Sequence, residues 1–225
     1  MNVLATAVDG RDVIPLWGSL YSVRSEPCGG QNAEITWALR DISERLSGRG
    51  IWVMDRGFDR GRLFKEFLAL KRRFVIRLQG NRRLRFRQAL ALASKIRVPM
   101  RFAAEVVTIK NGRRRVKNVE YGGVEVRLPF SEARLRLVKF RFRRGIQTFL
   151  ILTNVELEVS GKGLLWVVKA YLSRFLYRRG ESLRQAELQV GGHSSSQLQW
   201  ASEHGGLGHG VCQFRERYIG ASVCA

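Results

Sequence analysis

The stretch Ile51-Trp52-Val53-Met54-Asp55-Arg56-Gly57-Phe58-Asp59 constrains the fold more than any other part of the chain. Four apolar residues in a row, rich in β-branched and aromatic types, predict a short buried strand. The strand delivers Asp55 to its carboxyl end and Gly57 opens a turn there. Asp59 then stands where an N-cap would precede a helix from Arg60 to Phe74. In open α/β sheets the crevice beyond the strand carboxyl ends is where ligands and metals gather. A carboxylate at that point is a candidate for holding Mg²⁺. It could equally cap a turn, and spacing alone leaves the two readings open.

The flanking segments supply the rest of a mixed sheet. Val3 to Val8 reads as a strand, and Ile14 to Tyr21 as a second one paired with it across Asp9-Gly10-Arg11-Asp12. Asn32 can cap a helix from Ala33 to Leu46, with Ile35, Leu39, Ile42 and Leu46 on one face and Gly48 ending it. After the Asp55 strand comes the helix through Leu63, Phe64, Phe67, Leu68 and Leu70, then the strand Phe74 to Leu78. The order β-β-α-β-α-β is that of an α/β domain with a mixed sheet.

Forty Lys and Arg against nineteen Asp and Glu leave a formal charge of +21. Such a surplus favours a polyanionic partner, above all nucleic acid. No stretch approaches the ~18 consecutive apolar residues of a membrane span, and the start, with Asp9 close behind it, does not read as a secretory signal. Cys28, Cys212 and Cys224 are too few and odd in number for a disulfide framework, which suits a reducing cytoplasm. His193, His204 and His209 with Cys212 fit no zinc spacing. From Phe67 to Ala104 there are eleven Lys and Arg and no acid. A solvated face usually mixes signs, so this run favours phosphate contact over mere solvation.

Residues 102–153 change texture. Val106 to Ile109, Val124 to Leu128, Arg134 to Phe142 and Thr148 to Leu152 are strand-like, and Asn111-Gly112 and Gly122-Gly123 carry hairpin signals. The apolar parity slips at Val138-Lys139, which predicts a bulge. One face of this ribbon is expected to be densely basic. Gly163 to Tyr177 reads as a helix with Leu164, Val167, Val168, Tyr171 and Phe175 on one side. After about Gly180 the periodicity fades into glycine, serine and glutamine, which predicts a poorly ordered tail over 175–225 with few core contacts.

Several of these segments, in this order, resemble the bacterial DDE transposases of the insertion-sequence-four type. They are Asp9-Gly10-Arg11, Val13 to Trp17, Val53 to Asp59, Phe74 to Arg77, Gly80-Asn81-Arg82, Leu150 to Asn154 and Ala170 to Arg174. The resemblance covers about residues 1–174 and is most specific at Asp55. It implies an RNase H-like mixed sheet with helices and a β-strand-rich insertion over about 102–147. The implied activity is DNA transposition, in which transposon-end DNA is bound, cleaved and joined with two Mg²⁺ ions held by two aspartates and a glutamate. Hard carboxylate oxygens suit Mg²⁺, and paired ions can activate the attacking oxygen and stabilise the leaving one. The implied partners are double-stranded DNA and further copies assembled as an oligomer on it, in the cytoplasm at the bacterial nucleoid.

By this resemblance Asp55 matches the family's second catalytic aspartate and is the expected metal ligand. The first lies on a strand upstream of the hairpin, so the expectation is a core lacking its first strand. Asp9 and Asp12 lie in the turn and do not replace that aspartate. In the family's Tyr-x-x-Arg-x-x-x-Glu signature, Tyr171 and Arg174 match, while the Glu position holds Arg178 and the later Lys position holds Gln185. Glu181 is a weak substitute, almost one turn further on. A reading frame shifted by one base near Phe175 can restore both residues at the family spacing, so the tail is expected to be frameshifted and the product to have little or no catalysis. The alternative is a non-catalytic basic DNA-binding remnant; an RNA-binding protein is a third. Expected DNA contacts are Lys71, Arg72, Arg73, Arg82, Arg83, Arg85, Arg87, Arg141, Arg143 and Arg174.

Overall fold

The structure, a computed structural model, describes residues 2–6, 14–18, 30–110, 113–157, 160–174 and 220–224. Strands β1 (Asn2–Thr6) and β2 (Ile14–Gly18) pair antiparallel. Helix α1 (Gly30–Arg45) follows, with Ile35, Leu39 and Ile42 buried along one face. Asn32 lies inside this helix and does not cap it. Strand β3 (Ile51–Met54) is buried at every position. A 3₁₀ turn at Arg56–Phe58 leads into helix α2 (Gly61–Ala69), and β4 (Arg73–Arg77) returns parallel to β3.

Helix α2 is shorter than its apolar pattern predicts. Lys71 takes a left-handed conformation (φ 51°), and the Arg72 and Lys71 amides donate to the carbonyls of Phe67 and Leu68 at 2.8 and 3.1 Å. These two bonds close the helix with a Schellman motif. The helix thereby ends at Ala69, five residues short of Phe74, and the chain turns into β4.

Beyond β4 a separate two-stranded hairpin pairs β5 (Arg83–Phe86) with β6 (Ala89–Leu92). Strands β7 (Phe102–Lys110), β8 (Arg113–Val126), β9 (Leu135–Phe142) and β10 (Thr148–Thr153) form an antiparallel run, and β10 joins it to β4. Residues 161–174 form helix α3. Strand β11 (Gly220–Cys224) lies between β1, which it meets in parallel, and β3, which it meets antiparallel. Among the described residues the sheet order is β2-β1-β11-β3-β4-β10-β9-β8-β7. The chain is thus a mixed α/β protein whose β-rich segment extends the central sheet.

The period of two along the central strands divides the core. Trp52, Met54, Phe74, Ile76, Leu137 and Leu152 point to the side packed by α1 and α2. Ile51, Val53, Val75, Val138, Phe140 and Ile151 point to the side packed by α3. Phe74 sits 5.5 and 5.3 Å from the rings of Phe64 and Phe67. Each such side chain contributes about 1.5–3 kcal/mol when fully buried.

Two expectations for the β-rich segment fail for physical reasons. Gly122-Gly123 is no hairpin; it lies inside β8. A Cβ at Gly122 would stand 1.9 Å from the Pro99 carbonyl oxygen, and one at Gly123 would stand 2.7 Å from Leu164 of α3. Close approach of backbone and helix explains the glycine pair. Val138-Lys139 is no bulge either, since β9 keeps one register with both neighbours. Both faces of β9 are buried, so the apolar parity is lost without any slip. Lys139 therefore turns inward instead of joining a basic face, and its ammonium donates to the Ser94 and Ile96 carbonyls at 3.0 and 2.6 Å.

The predicted Asn111-Gly112 hairpin loop lies outside the described residues, as do residues 175–219, including Arg178, Glu181 and Gln185. Of the predicted poorly ordered tail, Gly220–Cys224 alone is among the described residues, as β11. That short stretch meets the hydrogen-bonding edges of both β1 and β3, a pairing that depends on backbone groups and needs little from the sequence.

Candidate functional site

The site is built where β3 and β4 end together. Their parallel register puts Met54 beside Ile76, so the residues just after them, Asp55 and Arg77, are neighbours. Asp55 also caps the following 3₁₀ turn, its Oδ1 accepting the Arg56 amide at 2.8 Å. The turn-capping role and the strand-end position therefore belong to the same carboxylate.

Helix α3 meets Asp55 through the side chains at its described carboxyl end. The Tyr171 hydroxyl donates to Asp55 Oδ1 at 3.2 Å, and Arg174 Nη1 stands 3.0 Å from Oδ2. Arg77 Nη1 lies 3.7 Å from Oδ1 and donates to the Tyr171 hydroxyl at 3.5 Å. The Arg77 guanidinium also lies over the Phe149 ring, 4.8 Å from its centre, a cation–π contact that fixes the side chain. Arg174 is only 5% exposed, and Asp55 is a close counter-charge for it in that buried place.

These contacts set the protonation states. Burial pushes the Asp55 carboxyl upward, but Arg174, the Arg56 amide and Arg77 outweigh it, and its pKa falls below the ordinary value. Asp55 is thus anionic at neutral pH. Burial and the Asp55 charge push the Tyr171 hydroxyl up to about 12, so it remains a donor.

Asp59 is not the N-cap of α2; that position is Arg60, which makes no side-chain cap bond. The Asp59 side chain is buried, and it receives the Gln79 amide on Oδ2 and Arg82 Nε on Oδ1, both at 2.7 Å. Arg82 Nη2 adds a bond to the Asp59 carbonyl at 2.8 Å. Asp59 thereby ties the turn after β3 to the turn after β4. Desolvation dominates here and raises its pKa, more than the Gln79 amide and Arg82 offset.

Between the two turns lies an open polar crevice of about 780 Å³, lined by Asp55, Arg56, Arg77, Gln79, Asn81 and Gln147 among others. Asp55 and Arg174 beside it are legible as site residues in the sequence, whereas Arg77 and Gln147 are not. Arg77 carries a weaker signal, as a cation one position past the apolar run of the neighbouring strand.

The other expected DNA contacts are dispersed. Arg73 pairs with Ile51 at the start of β3, so Lys71, Arg72 and Arg73 lie at the opposite end of the sheet from Asp55. Arg82 is committed to Asp59. Arg83 and Arg87 are exposed on the β5–β6 hairpin, and Arg87 stacks 5.4 Å from the Phe86 ring centre. Arg85 binds Glu132 at 2.6 Å and Arg141 binds Glu120 at 2.7 Å, while Arg143 is exposed just beyond β9. Glu181 lies outside the described residues.

The donor set can be weighed against the Mg²⁺ implied by the resemblance. Mg²⁺ asks for anionic or neutral oxygens in octahedral array. Among the described residues no group of three or more His, Cys, Asp or Glu could hold a metal. The one carboxylate in the crevice already serves a hydroxyl, an amide and two guanidiniums. These described residues do not fit a two-ion centre.

Among the described residues no helix is long and apolar enough to cross a membrane. Compared with protein-family models and with curated proteins, the chain finds no match.

Proposed function

We propose that this chain carries an RNase H-like core of the DDE transposase type and acts by binding duplex DNA, with the crevice at Asp55 on its DNA-facing side. The observation that carries the reading is the convergence of Asp55 with Tyr171 and Arg174. Residues 116 positions apart, both drawn from the segments that carry the resemblance, meet at a strand end. The charge of +21 supports a polyanionic partner. DNA transposition is then the ancestral activity, transposon ends are the natural ligand, and the bacterial nucleoid is the place of action.

Strand cleavage by the chain as it stands is not part of this reading. Bound metal ions would supply activation of water or a 3′-hydroxyl in that family. Here the described carboxylate is neutralised by arginines, and a two-ion mechanism has no footing on it. The expected behaviour is binding without cutting, in which the protein occupies DNA or interferes with an intact relative.

The test combines two assays on the full chain. Affinity for duplex DNA should fall steeply between about 50 and 200 mM salt, as counterion release requires. Cleavage of the same DNA with Mg²⁺ or Mn²⁺ should stay at background. A flat salt response, or RNA displacing DNA at equal concentration, would remove the proposal.

A further inference from the structure

The crevice beyond β3 and β4 is a place for an anion. Its lining offers the guanidiniums of Arg56 and Arg77 and the carboxamides of Gln79, Asn81 and Gln147, against the single carboxylate of Asp55. Asp55 is already engaged by donors and cations. Oδ1 receives the Arg56 amide and the Tyr171 hydroxyl, and Oδ2 faces Arg174 at 3.0 Å. A divalent cation entering here would have to displace Arg174 from a site where it is 5% exposed. The displaced guanidinium would lose a carboxylate at 3.0 Å while remaining buried, a costly change.

Arg77 is differently placed. The contacts that hold it to Asp55 and Tyr171 both run through Nη1, and the ring of Phe149 supports its plane. A guanidinium has five N–H donors in a fixed fork, suited to two oxygens of one phosphate. Arg77 is 17% exposed and lines the crevice, and Arg56 stands exposed on the facing turn. The carboxamides around them can donate further hydrogen bonds to phosphate oxygens. In this arrangement Asp55 acts on the ligand indirectly, by positioning Arg77 and Arg174.

We infer that the crevice at the carboxyl ends of β3 and β4 is a phosphate site that works without a divalent metal, with Arg77 and Arg56 as its cationic arms and Asp55 as the anion that positions Arg77. The inference rests on the DNA-binding reading of the same crevice and specifies how that reading operates there. The phosphate could be a backbone group of DNA or a free ion, and the two sources separate by experiment.

Calorimetric titration of the full chain with inorganic phosphate and with a short 5′-phosphorylated duplex, each in EDTA and in Mg²⁺, makes the test. Both ligands should bind in EDTA, with affinity unchanged within about twofold by Mg²⁺ beyond ordinary screening. A DNA source is marked by the duplex competing with inorganic phosphate, a free-ion source by the two binding independently. Arg56→Gln and Arg77→Gln should each weaken phosphate at least about fivefold, and together more, as charge-assisted bonds are lost. The charge-matched control Lys71→Gln with Arg73→Gln should leave phosphate affinity within about twofold. Arg56 is exposed on its turn, so the Arg56→Gln arm decides the matter even if Arg77→Gln perturbs folding. Binding that needs Mg²⁺, or equal losses in the site and control variants, overturns the inference. Duplex affinity that survives while phosphate binding fails removes the site and leaves the DNA reading standing. Loss of all DNA affinity removes both.

Discussion

At the amino-terminal end of β4, Lys71, Arg72 and Arg73 follow one another; at its carboxyl end, Arg77 and Arg82 stand among Asp55, Asp59 and Tyr171. The first end is held by the backbone. Asn154 accepts the Phe74 amide and donates to the Arg72 carbonyl, both at 2.8 Å, and Thr153 donates to the Phe74 carbonyl at 2.6 Å. The cations there are carried by a helix stop and a strand start. At the second end Arg77 and Arg82 each have a carboxylate partner, and the Asp55–Arg77 pair lines a crevice. The difference teaches that a run of like charge along a sequence is split by the strand it runs through. Position relative to the sheet, more than number, decides which arginines make a site.

The largest effect that could break this comparison concerns Asp55. Asp55→Ala should destabilise the fold by about 3 kcal/mol, because the buried Arg174 loses a carboxylate at 3.0 Å and Arg77 and Tyr171 lose theirs as well. Urea denaturation measures this directly. Lys71→Gln with Arg73→Gln at the other end should cost no more than about 0.5 kcal/mol. Equal losses at the two ends would erase the distinction drawn between them.

A somewhat smaller effect is expected at Asp59. Asp59→Ala should cost about 2 kcal/mol, since the Gln79 amide and Arg82 lose their acceptor in a desolvated place. Hydrogen exchange sharpens the point. The Gln79 amide should exchange faster in this variant, while the Phe74 amide, held by Asn154 at the other end of β4, should not.

The two carboxylates should also pull in opposite directions with pH. The Asp55 pKa is lowered in the fold, so its stabilisation is complete above the unfolded value of about 3.8 and is lost as pH falls through the folded one. The Asp59 pKa is raised, so its contribution is greatest below about 3.8 and declines as pH rises through its folded value. Compared with wild type, Asp55→Asn should lose the acid-side fall in stability, and Asp59→Asn should rise in relative stability as pH climbs from about 3.8. Denaturation midpoints across this range show whether the slopes have these signs.

Much of the central architecture was legible because its signals are local. The buried run Ile51–Met54, the 3.6-residue spacing of Ile35, Leu39 and Ile42, and the strand Phe74 to Arg77 are short-range patterns. The misreadings arose where one residue type serves two purposes. Asp59 before a helix looks like a cap, yet its partners Gln79 and Arg82 lie 20 and 23 residues away. Gly122-Gly123 looks like a turn, yet it makes room for Pro99 and Leu164. Of the candidate site, Asp55 could be placed at a strand end from its own segment. Tyr171 and Arg174 could be tied to it only through a family resemblance, because no local pattern spans the 116 residues between Asp55 and Tyr171.

The central claim is that DNA is contacted through the Asp55 end of β4 by cations organised around that carboxylate. Its most direct test is the salt dependence of duplex DNA affinity, by fluorescence anisotropy, for two charge-matched double variants. Each neutralised phosphate contact should lower the slope of log affinity against log salt by about 0.9. The account predicts a loss of nearly two such steps for Arg56→Gln with Arg77→Gln, and a much smaller one for Lys71→Gln with Arg73→Gln. A larger loss at the Lys71–Arg73 end, or an unchanged slope on removing Arg56 and Arg77, would contradict it.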